Sequence, residues 1–518
     1  MPSSTSLPVR GTPPTTPCSL PPELLLKIFK FVYLLCRTRP ADLDMTDSSE
    51  VSNARWIHAD PLSPSFFPHS IASVCSFWRD VTDLEPTFWT RFVIVIGKST
   101  TSDLQSYLQR TGDYPLDVCI ISAPERNRPP PHERSQVEAF MQILAPHICR
   151  CRTIRICVTL LSSLPSLHRH FRGTAPHLRL LKLQCQTTDN EKLPTEHKGS
   201  GWDFSSPLLV KVHLDGINFR EGCVDDYRWF RTMKDSLHKL TIACGLPSKD
   251  MNEHGPRGRI SINDLATIGG LLPNLATLVL KDVEFSDTNT LQALPISCRT
   301  ENLVLEGLAE ESMRMATAAR WFESLVIKRC DLSQRLYGDR LALYDVTSDL
   351  HQSLASWEGW ELSIDSCPLF DDQVLLDLAG GWCRKFHTLR ISNCGGVSVE
   401  GLKQFVEKRF LDGEALGYGV LECGPKSGEC AGMQGGASER EENPLQCLTV
   451  FGGPQLSVED QRWFQARIST FTWQLAPAGD LPSEYMDSDY EGSDFENSNC
   501  EDSDDSDWDD GVIAGRYW

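Results

Sequence analysis

Residues 386–402 read Phe-His-Thr-Leu-Arg-Ile-Ser-Asn-Cys-Gly-Gly-Val-Ser-Val-Glu-Gly-Leu, and this stretch decides the fold that we predict. Leu389 and Ile391 are two residues apart, so in a β-strand their side chains point to the same face. Phe386 lies three residues before this pair, and Cys394 lies three residues after it. A single strand of this kind cannot bury its apolar face alone, so the spacing predicts a repeat whose copies stack.

The same spacing recurs along the chain. An apolar residue is followed at +3 and +5 by an apolar pair in ten places: Ile154/Ile156, Leu181/Leu183, Val212/Leu214, Leu240/Ile242, Leu278/Leu280, Leu303/Leu305, Leu325/Ile327, Leu362/Ile364, Leu389/Ile391 and Leu448/Val450. We therefore predict an α/β fold in which a curved parallel sheet carries helices on its outer side. The alternative is a pair of α/β domains with parallel sheets, whose strands also read as short apolar runs.

Three copies carry a longer pattern. Besides the opening stretch, they are Phe322-x-x-Leu325-x-Ile327-x-x-Cys330 and Leu362-x-Ile364-x-x-Cys367-x-x-Phe370-Asp371-Asp372-x-x-Leu375. This pattern resembles the cysteine-containing type of leucine-rich repeat. The resemblance implies an irregular leucine-rich-repeat solenoid.

Two apolar segments near the N-terminus form a second motif. The first, at 20–29, reads Leu-Pro-Pro-Glu-Leu-Leu-Leu-Lys-Ile-Phe, and the second, at 71–80, reads Ile-Ala-Ser-Val-Cys-Ser-Phe-Trp-Arg-Asp. Pro86-Thr-Phe-Trp89 follows shortly afterwards. Each segment presents a wide apolar stripe when it is drawn as a helix. Two short helices cannot cover such broad faces between them, so part of this surface meets the repeats or a partner.

These segments resemble the two halves of an F-box, a helical module that docks a protein onto a ubiquitin-ligase core. The resemblance covers about residues 18–120 and implies binding to the small Skp-type adaptor of a cullin ligase core. The residues that it implies for adaptor binding are Leu20, Pro21, Leu24, Leu25, Ile28, Phe29, Val74, Cys75, Trp78 and Trp89. Leu25→Asp is the probe that this assignment suggests. The segment between the halves is longer than in a usual F-box, and its Asp, Ser and Thr content predicts a loop.

The chain divides into five parts in this interpretation. They are a disordered N-terminus at 1–17, an F-box-like helical domain at 18–91 with an insert at 37–67, a connecting strand–helix–strand unit at 92–150, a solenoid at 151–475 with a Gly-rich loop at 412–444, and an acidic disordered tail at 476–518. The two terminal parts are assigned from their composition, which is Pro/Ser/Thr-rich at one end and acidic at the other.

The residue between the two members of each apolar pair points away from the core, towards the inner face of a solenoid. We expect a protein substrate to bind this face through Arg155, Lys182, His213, Val279, Val304, Val326 and Arg390. The three valines are successive and predict an apolar patch of the kind that marks partner sites. Valine is also simply a good strand former, which is the alternative explanation.

Negative charge is concentrated at the C-terminus. The 518 residues carry a net charge of −20, and residues 484–518 alone hold 13 acidic residues and one basic residue. Ser488, Ser493, Ser498 and Ser506 each have an acidic residue at +3, which resembles an acidophilic kinase site and predicts phosphorylation. A tail that only solvates the protein is the alternative. The sequence contains no run of basic residues, so nucleic-acid binding is not expected.

No catalytic, cofactor or metal site is predicted. The 19 cysteines are scattered, and Cys149-x-Cys151 beside His147 lacks the paired spacing of a zinc site. We interpret the cysteines as reduced thiols of a cytoplasmic and/or nuclear protein. The longest apolar stretch is too short to span a bilayer, so no membrane partner is expected.

Together these features predict a non-catalytic, substrate-recognition adaptor of an SCF-type cullin ubiquitin ligase, acting in ubiquitin-dependent degradation. One alternative is a leucine-rich-repeat interaction scaffold whose N-terminal helices only cap the solenoid. A divergent hydrolase hidden in the repeats is a third interpretation.

Overall fold

A computed structural model describes residues 20–37, 67–122, 130, 132–189, 202–223, 227–244, 246–247, 259–286, 300–317, 321–354, 357–380, 386–415 and 445–475. Several predictions lie outside these ranges. They concern the N-terminus at 1–17, the insert between residues 38 and 66, the Gly-rich loop from 416 to 444, and the tail at 476–518 with Ser488, Ser493, Ser498 and Ser506.

One open β-sheet runs through the described part of the chain. Its strands are β1 (Arg91–Ile96), β2 (Leu116–Ser122), β3 (Cys151–Leu160), β4 (Leu180–Thr188), β5 (Lys211–Asp215), β6 (Lys239–Ala243), β7 (Leu246–Pro247), β8 (Thr277–Lys281), β9 (Asn302–Glu306), β10 (Ser324–Lys328), β11 (Arg340–Tyr344), β12 (Glu361–Asp365), β13 (Thr388–Ser392), β14 (Cys447–Gly453) and β15 (Thr470–Leu475). They lie side by side in chain order, except that the short β7 pairs with β4. Every strand pairing among the described residues is parallel.

Helices precede the sheet and connect many of its strands. They are α1 (Pro22–Arg37), α2 (His69–Ala72), α3 (Ser76–Asp83), α4 (Thr101–Arg110), α5 (Glu133–Leu144), α6 (Leu167–His170), α7 (Gly216–Cys223), α8 (Arg228–Thr232), α9 (Ile262–Leu271), α10 (Glu310–Thr317), α11 (Leu350–Leu354), α12 (Asp372–Ala379), α13 (Val399–Ala415) and α14 (Val458–Gln465). Short 3₁₀ helices span Pro86–Trp89, Ala145–Arg150 and Leu161–Ser163. No helix within the described ranges has the length and apolar character needed to cross a membrane.

The predicted apolar pairs form the core of this sheet. All ten lie on strands, and each of their side chains is at most 3% exposed. The parallel register places pair against pair, so that Leu278 lies opposite Leu303 and Leu303 lies opposite Leu325. The buried apolar side chains from β1 to β14 form one continuous cluster. The predicted α/β class with an open parallel sheet is therefore confirmed, and the described strands form one sheet rather than two.

The ten pairs do not account for every strand. The unit at 92–150 supplies β1 and β2, which pair with each other and then with β3. Leu341 and Leu343 form a further buried pair on β11, between two predicted copies. The position three residues before Leu341 is Gly338, where a Cβ would lie 2.9 Å from the carbonyl oxygen of Phe322. Because this close approach excludes an apolar side chain there, the search pattern misses the copy.

A left-handed residue follows each of six successive strands, from β8 to β13. These residues are Asp282, Gly307, Arg329, Asp345, Ser366 and Asn393, with φ between +51° and +64°. Each donates its backbone N–H to a carbonyl oxygen of the next strand in the sheet, at 2.8–3.0 Å. The acceptor is the last residue of that strand that pairs with the strand before it. These hydrogen bonds offset the strain of a left-handed backbone, which costs a non-glycine residue about 1 kcal/mol or more.

The cysteine of the longer pattern has a place in this turn. Cys330, Cys367 and Cys394 come directly after the left-handed residue, and each thiol donates to a carbonyl oxygen of its own strand end at 3.2–3.3 Å. Burial raises the pKa of Cys330 and Cys394 to about 11 and that of Cys367 to about 12. A small apolar residue with a weak donor suits the position. The twelve cysteines whose side chains the structure describes are all free thiols.

We expect neighbouring substitutions on β10 to differ sharply in their effect on stability. Ile327 is fully buried, so Ile327→Ala should lower the free energy of unfolding by about 2–5 kcal/mol. Val326 is only half-buried on the opposite face, so Val326→Ala leaves no sealed cavity and should cost clearly less. Thermal unfolding followed by circular dichroism measures both. Equal losses would contradict the assignment of the two faces.

Candidate protein-binding surfaces

The N-terminal helices form a unit with a small hydrophobic core of its own. α1, α2, α3 and the 3₁₀ turn at Pro86–Trp89 enclose Leu25, Phe29, Phe67, Ala72, Val81, Phe88 and Trp89. Trp89 donates its indole N–H to the carbonyl oxygen of Thr82 at 3.1 Å. Phe29 packs edge to face on Trp78, with ring centroids 5.1 Å apart. These contacts fix the angle at which α1 crosses the second helical segment.

Tyr107 of α4 joins this helical unit to the sheet. Its ring stacks on Phe92 of β1 with centroids 5.1 Å apart, and its hydroxyl lies 3.0 Å from Nε2 of His69. Arg110, one turn later, lies with its guanidinium 4.5 Å from the ring centre of Trp89. The helical unit is therefore seated on the first strand and helix of the sheet, and its orientation is set by aromatic contacts.

A second apolar stripe of α1 faces outwards. We call it the helical face and define it by Leu24, Ile28 and Phe31, whose spacing of four and three residues places them on one side of α1, together with Leu20, which lies two residues before the helix. They are 39%, 46%, 46% and 62% exposed, whereas Leu25 and Phe29 on the adjoining stripe are 1% exposed. The helix thus has apolar side chains on two faces and uses only one of them for its own core. An apolar surface of this kind is typical of a docking site.

The predicted adaptor-binding residues therefore fall into three groups. Leu20, Pro21, Leu24, Ile28 and Val74 are exposed, Cys75 and Trp78 are half-buried, and Leu25, Phe29 and Trp89 are buried. Cys75 caps α3, its sulfur accepting the backbone N–H of Trp78 at 3.5 Å. Leu25→Asp would place a carboxylate in the core of the helical unit. It would test folding rather than binding, so the suggested probe has to be moved to an exposed position.

The predicted substrate-binding residues lie on one row of the sheet. Starting from Val93 on β1, strand register aligns one residue from every strand except β7 on the side opposite the core: Val93, Cys119, Arg155, Lys182, His213, Thr241, Val279, Val304, Val326, Ala342, Ser363, Arg390, Thr449 and Thr472. All seven predicted residues belong to this central row. We call it, with the rows two residues to either side, the open face.

The open face is basic between β3 and β8. Arg155 and Lys182 of the central row are flanked by Lys211, Lys239 and Lys281 of the neighbouring rows. Asp215 is the acidic residue on these rows in the same stretch, and its carboxylate accepts the backbone N–H of Ile217 at 2.9 Å. The sequence contains no basic run because these side chains come from separate strands, and the fold brings them together. We call this part the basic region.

His213 lies in the middle of the basic region. Burial, with Lys182, Lys281 and Lys239 nearby, holds the pKa of His213 well below its usual 6.5. Its Nε2 is buried and has no hydrogen-bond partner among the described residues, and the same is true of Nε of Arg155. The imidazole is therefore neutral at pH 7, because the surrounding lysines and its burial both disfavour the protonated form.

The rest of the open face has a different character. Val279, Val304 and Val326 are half-buried and adjacent, as predicted, and Ala342 extends the apolar row by one strand. Charges beyond it are paired: Arg390 lies 3.3 Å from Glu361. The open face therefore changes from basic to apolar to charge-compensated along the sheet.

The described residues contain no group of three or more His, Cys, Asp or Glu side chains that could hold a metal ion. Cys151 is buried and donates its thiol to the carbonyl of His147 at 3.3 Å, while Cys149 is exposed. Comparison with protein-family models gives no match, and comparison with curated proteins gives none either.

Sequence reasoning missed Phe31 on the helical face and Lys211 and Lys239 on the open face. Phe31 continues the spacing of Leu24 and Ile28, so the signal was present in the second stripe of the helix. The two lysines lie two residues before His213 and Thr241, which belong to the central row. Applying period-two geometry to whole strands, rather than to their central residues, would have found them.

We expect His213 to make the protein less stable in mild acid. Below pH 6.5 the unfolded chain binds a proton at this histidine that the folded chain does not, so stability falls as the pH drops. His213→Gln removes this linkage. The loss of melting temperature between pH 7.5 and pH 5.5 should therefore be smaller in the variant than in the wild type. Equal losses would contradict a His213 that stays neutral in the folded protein.

Proposed function

We propose that this protein is a substrate-recognition subunit of an SCF-type ubiquitin ligase. The helical face binds the small Skp-type adaptor of the cullin core, and the open face of the leucine-rich-repeat-like sheet binds a protein substrate. The proposal includes a cytoplasmic or nuclear location. The chain itself supplies recognition, and the ligase core supplies the chemistry.

The observation that carries this proposal is the unused apolar stripe of α1. Leu24 and Ile28 are each 46% exposed, whereas Leu25 and Phe29 on the adjoining stripe are buried in the aromatic-rich core of the helical unit. A helix that only capped the sheet would turn its second stripe towards the strands. The contacts between the helical unit and the sheet run instead through Tyr107, His69 and Trp89. This arrangement supports an adaptor role over a capping role.

The extended open face supports the second half of the proposal. A row of fourteen aligned positions, with apolar and basic stretches, suits a long segment of protein better than a small molecule. The open, unclosed sheet leaves this row on a surface rather than inside a barrel. A protein substrate is therefore the ligand class that its dimensions favour.

Replacing two residues of the helical face tests adaptor binding. The double variant Leu24→Asp/Ile28→Asp should fold, since both side chains are about half exposed, and should lose adaptor binding by more than about tenfold. The measurement is co-expression with a Skp-type adaptor, followed by affinity capture and titration calorimetry. Melting temperature is measured in parallel.

Val458→Asp is the matched control. Val458 is 65% exposed on α14, beside the last strands of the sheet, so the same change of chemistry is made far along the chain from the helical unit. It should leave adaptor capture unchanged. Unchanged capture by the double variant would reject the helical face. Failure of the wild type to capture adaptor would favour the interaction-scaffold alternative.

A further inference from the structure

We infer that the basic region of the open face binds the acidic C-terminal segment of the same chain, residues 484–518. The inference does not depend on adaptor binding, which concerns the helical face. It concerns what occupies the open face when no substrate is bound there. A substrate that uses the basic region would have to displace this segment.

The first step is the charge of the basic region. The chain carries a net charge of −20, yet Arg155, Lys182, Lys211, Lys239 and Lys281 face the same side of five adjacent strands. Lys281 is paired with Glu306 at 2.8 Å, whereas Lys182 forms no ion pair with any residue that the structure describes. Neighbouring cations raise one another's electrostatic energy, so an anionic ligand is favoured here.

The second step is the state of the polar groups inside this region. Nε2 of His213 and Nε of Arg155 are buried, and no described residue accepts or donates a hydrogen bond there. The Arg155 side chain as a whole is only half-buried, so the remainder of its guanidinium can meet a carboxylate at the surface of the sheet. The guanidinium also matches carboxylate geometry.

The third step is the composition of residues 484–518. Their 13 acidic residues and one basic residue give a net charge of −12, which opposes the charge of the basic region. Tyr490, Phe495 and Trp508 are interspersed among the acids. The valine row begins on β8, the last strand of the basic region, so one extended segment could place carboxylates on lysines and an aromatic ring on Val279 or Val304.

The fourth step is reach. The described chain ends at Leu475 on β15, nine strand spacings from β5, which is about 43 Å at about 4.8 Å per strand. Residues 476–518 can span up to about 140 Å when fully extended. The segment is therefore long enough to place its acidic residues on β3–β8. Tethering also gives it an effective concentration near millimolar, so modest affinity is sufficient.

Zero-length crosslinking of the full-length protein tests this inference. A carbodiimide joins a lysine amine to a carboxylate only where the two are in contact, and chymotryptic peptides identify the sites by mass spectrometry. We expect crosslinks from residues 484–518 to Lys182, Lys211 and Lys239. Raising NaCl from about 0.1 M to about 1 M shortens the Debye length from about 10 Å to about 3 Å and should abolish most of them.

A charge-reversal variant makes the test specific. In Arg155→Glu/Lys182→Glu, crosslinks at the unchanged Lys211 and Lys239 should fall at least about fivefold, because two attractions become repulsions. The matched control is Lys234→Glu/Arg467→Glu, which changes the charge equally at two positions outside the open face. It should leave the crosslinks unchanged, and melting temperatures establish that both variants fold.

Three outcomes would overturn the inference. The first is an absence of crosslinks between residues 484–518 and the basic region. The second is crosslinking spread evenly over other lysines, such as Lys27 and Lys408, or unaffected by the charge-reversal variant. The third is seen in an equal mixture of ¹⁴N- and ¹⁵N-labelled protein: crosslinks that join the two labels would assign the contact to a second copy of the chain.

Discussion

The structure depends on one constraint of parallel strands: side chains alternate between two faces, and each strand needs neighbours to bury one of them. The pairs at +3 and +5 meet this constraint by placing aliphatic residues in register from β3 to β14. A single repeat cannot bury its pair by itself under this arrangement, since the partner surface of each pair belongs to the next copy. Burial of one face leaves the other face available. Because side chains alternate along each strand, the candidate partner residues lie on this second face, opposite the core residues.

The left-handed residues after β8–β13 extend the same constraint beyond the strands. Each backbone N–H at this position bonds to the neighbouring strand, so the chain leaves every strand at the same point and in the same direction. The cysteine thiols that follow bond to strand-end carbonyls. A turn built mainly from backbone contacts tolerates Asp, Arg, Ser, Asn and Gly at its left-handed position. This tolerance explains why the repeats look irregular in sequence although their backbones are alike.

Much of the sheet could be predicted from sequence, because each strand carries an apolar pair two residues apart whose burial requires a strand. The copy at Leu341/Leu343 could not, since a close backbone approach at Gly338 removes the residue that the pattern requires. The helical unit shows a different limit. Leu24 and Leu25 are neighbours of identical chemistry, and only the packing of Phe29 against Trp78 and the second helical segment decides which of them is buried. The basic region could not be seen in the sequence for a third reason: its members are 27 to 42 residues apart along the chain and meet only through strand register.

Aligned rows also separate two kinds of evolutionary change. The core positions on each strand are held to aliphatic residues by burial, while the central open position varies from Arg and Lys through Thr and Val to Ser along the sheet. A substitution in that row alters the open face and leaves the buried pair of the same strand in place. In a protein of this design the chemistry of the open face can therefore change strand by strand while each strand keeps its buried pair.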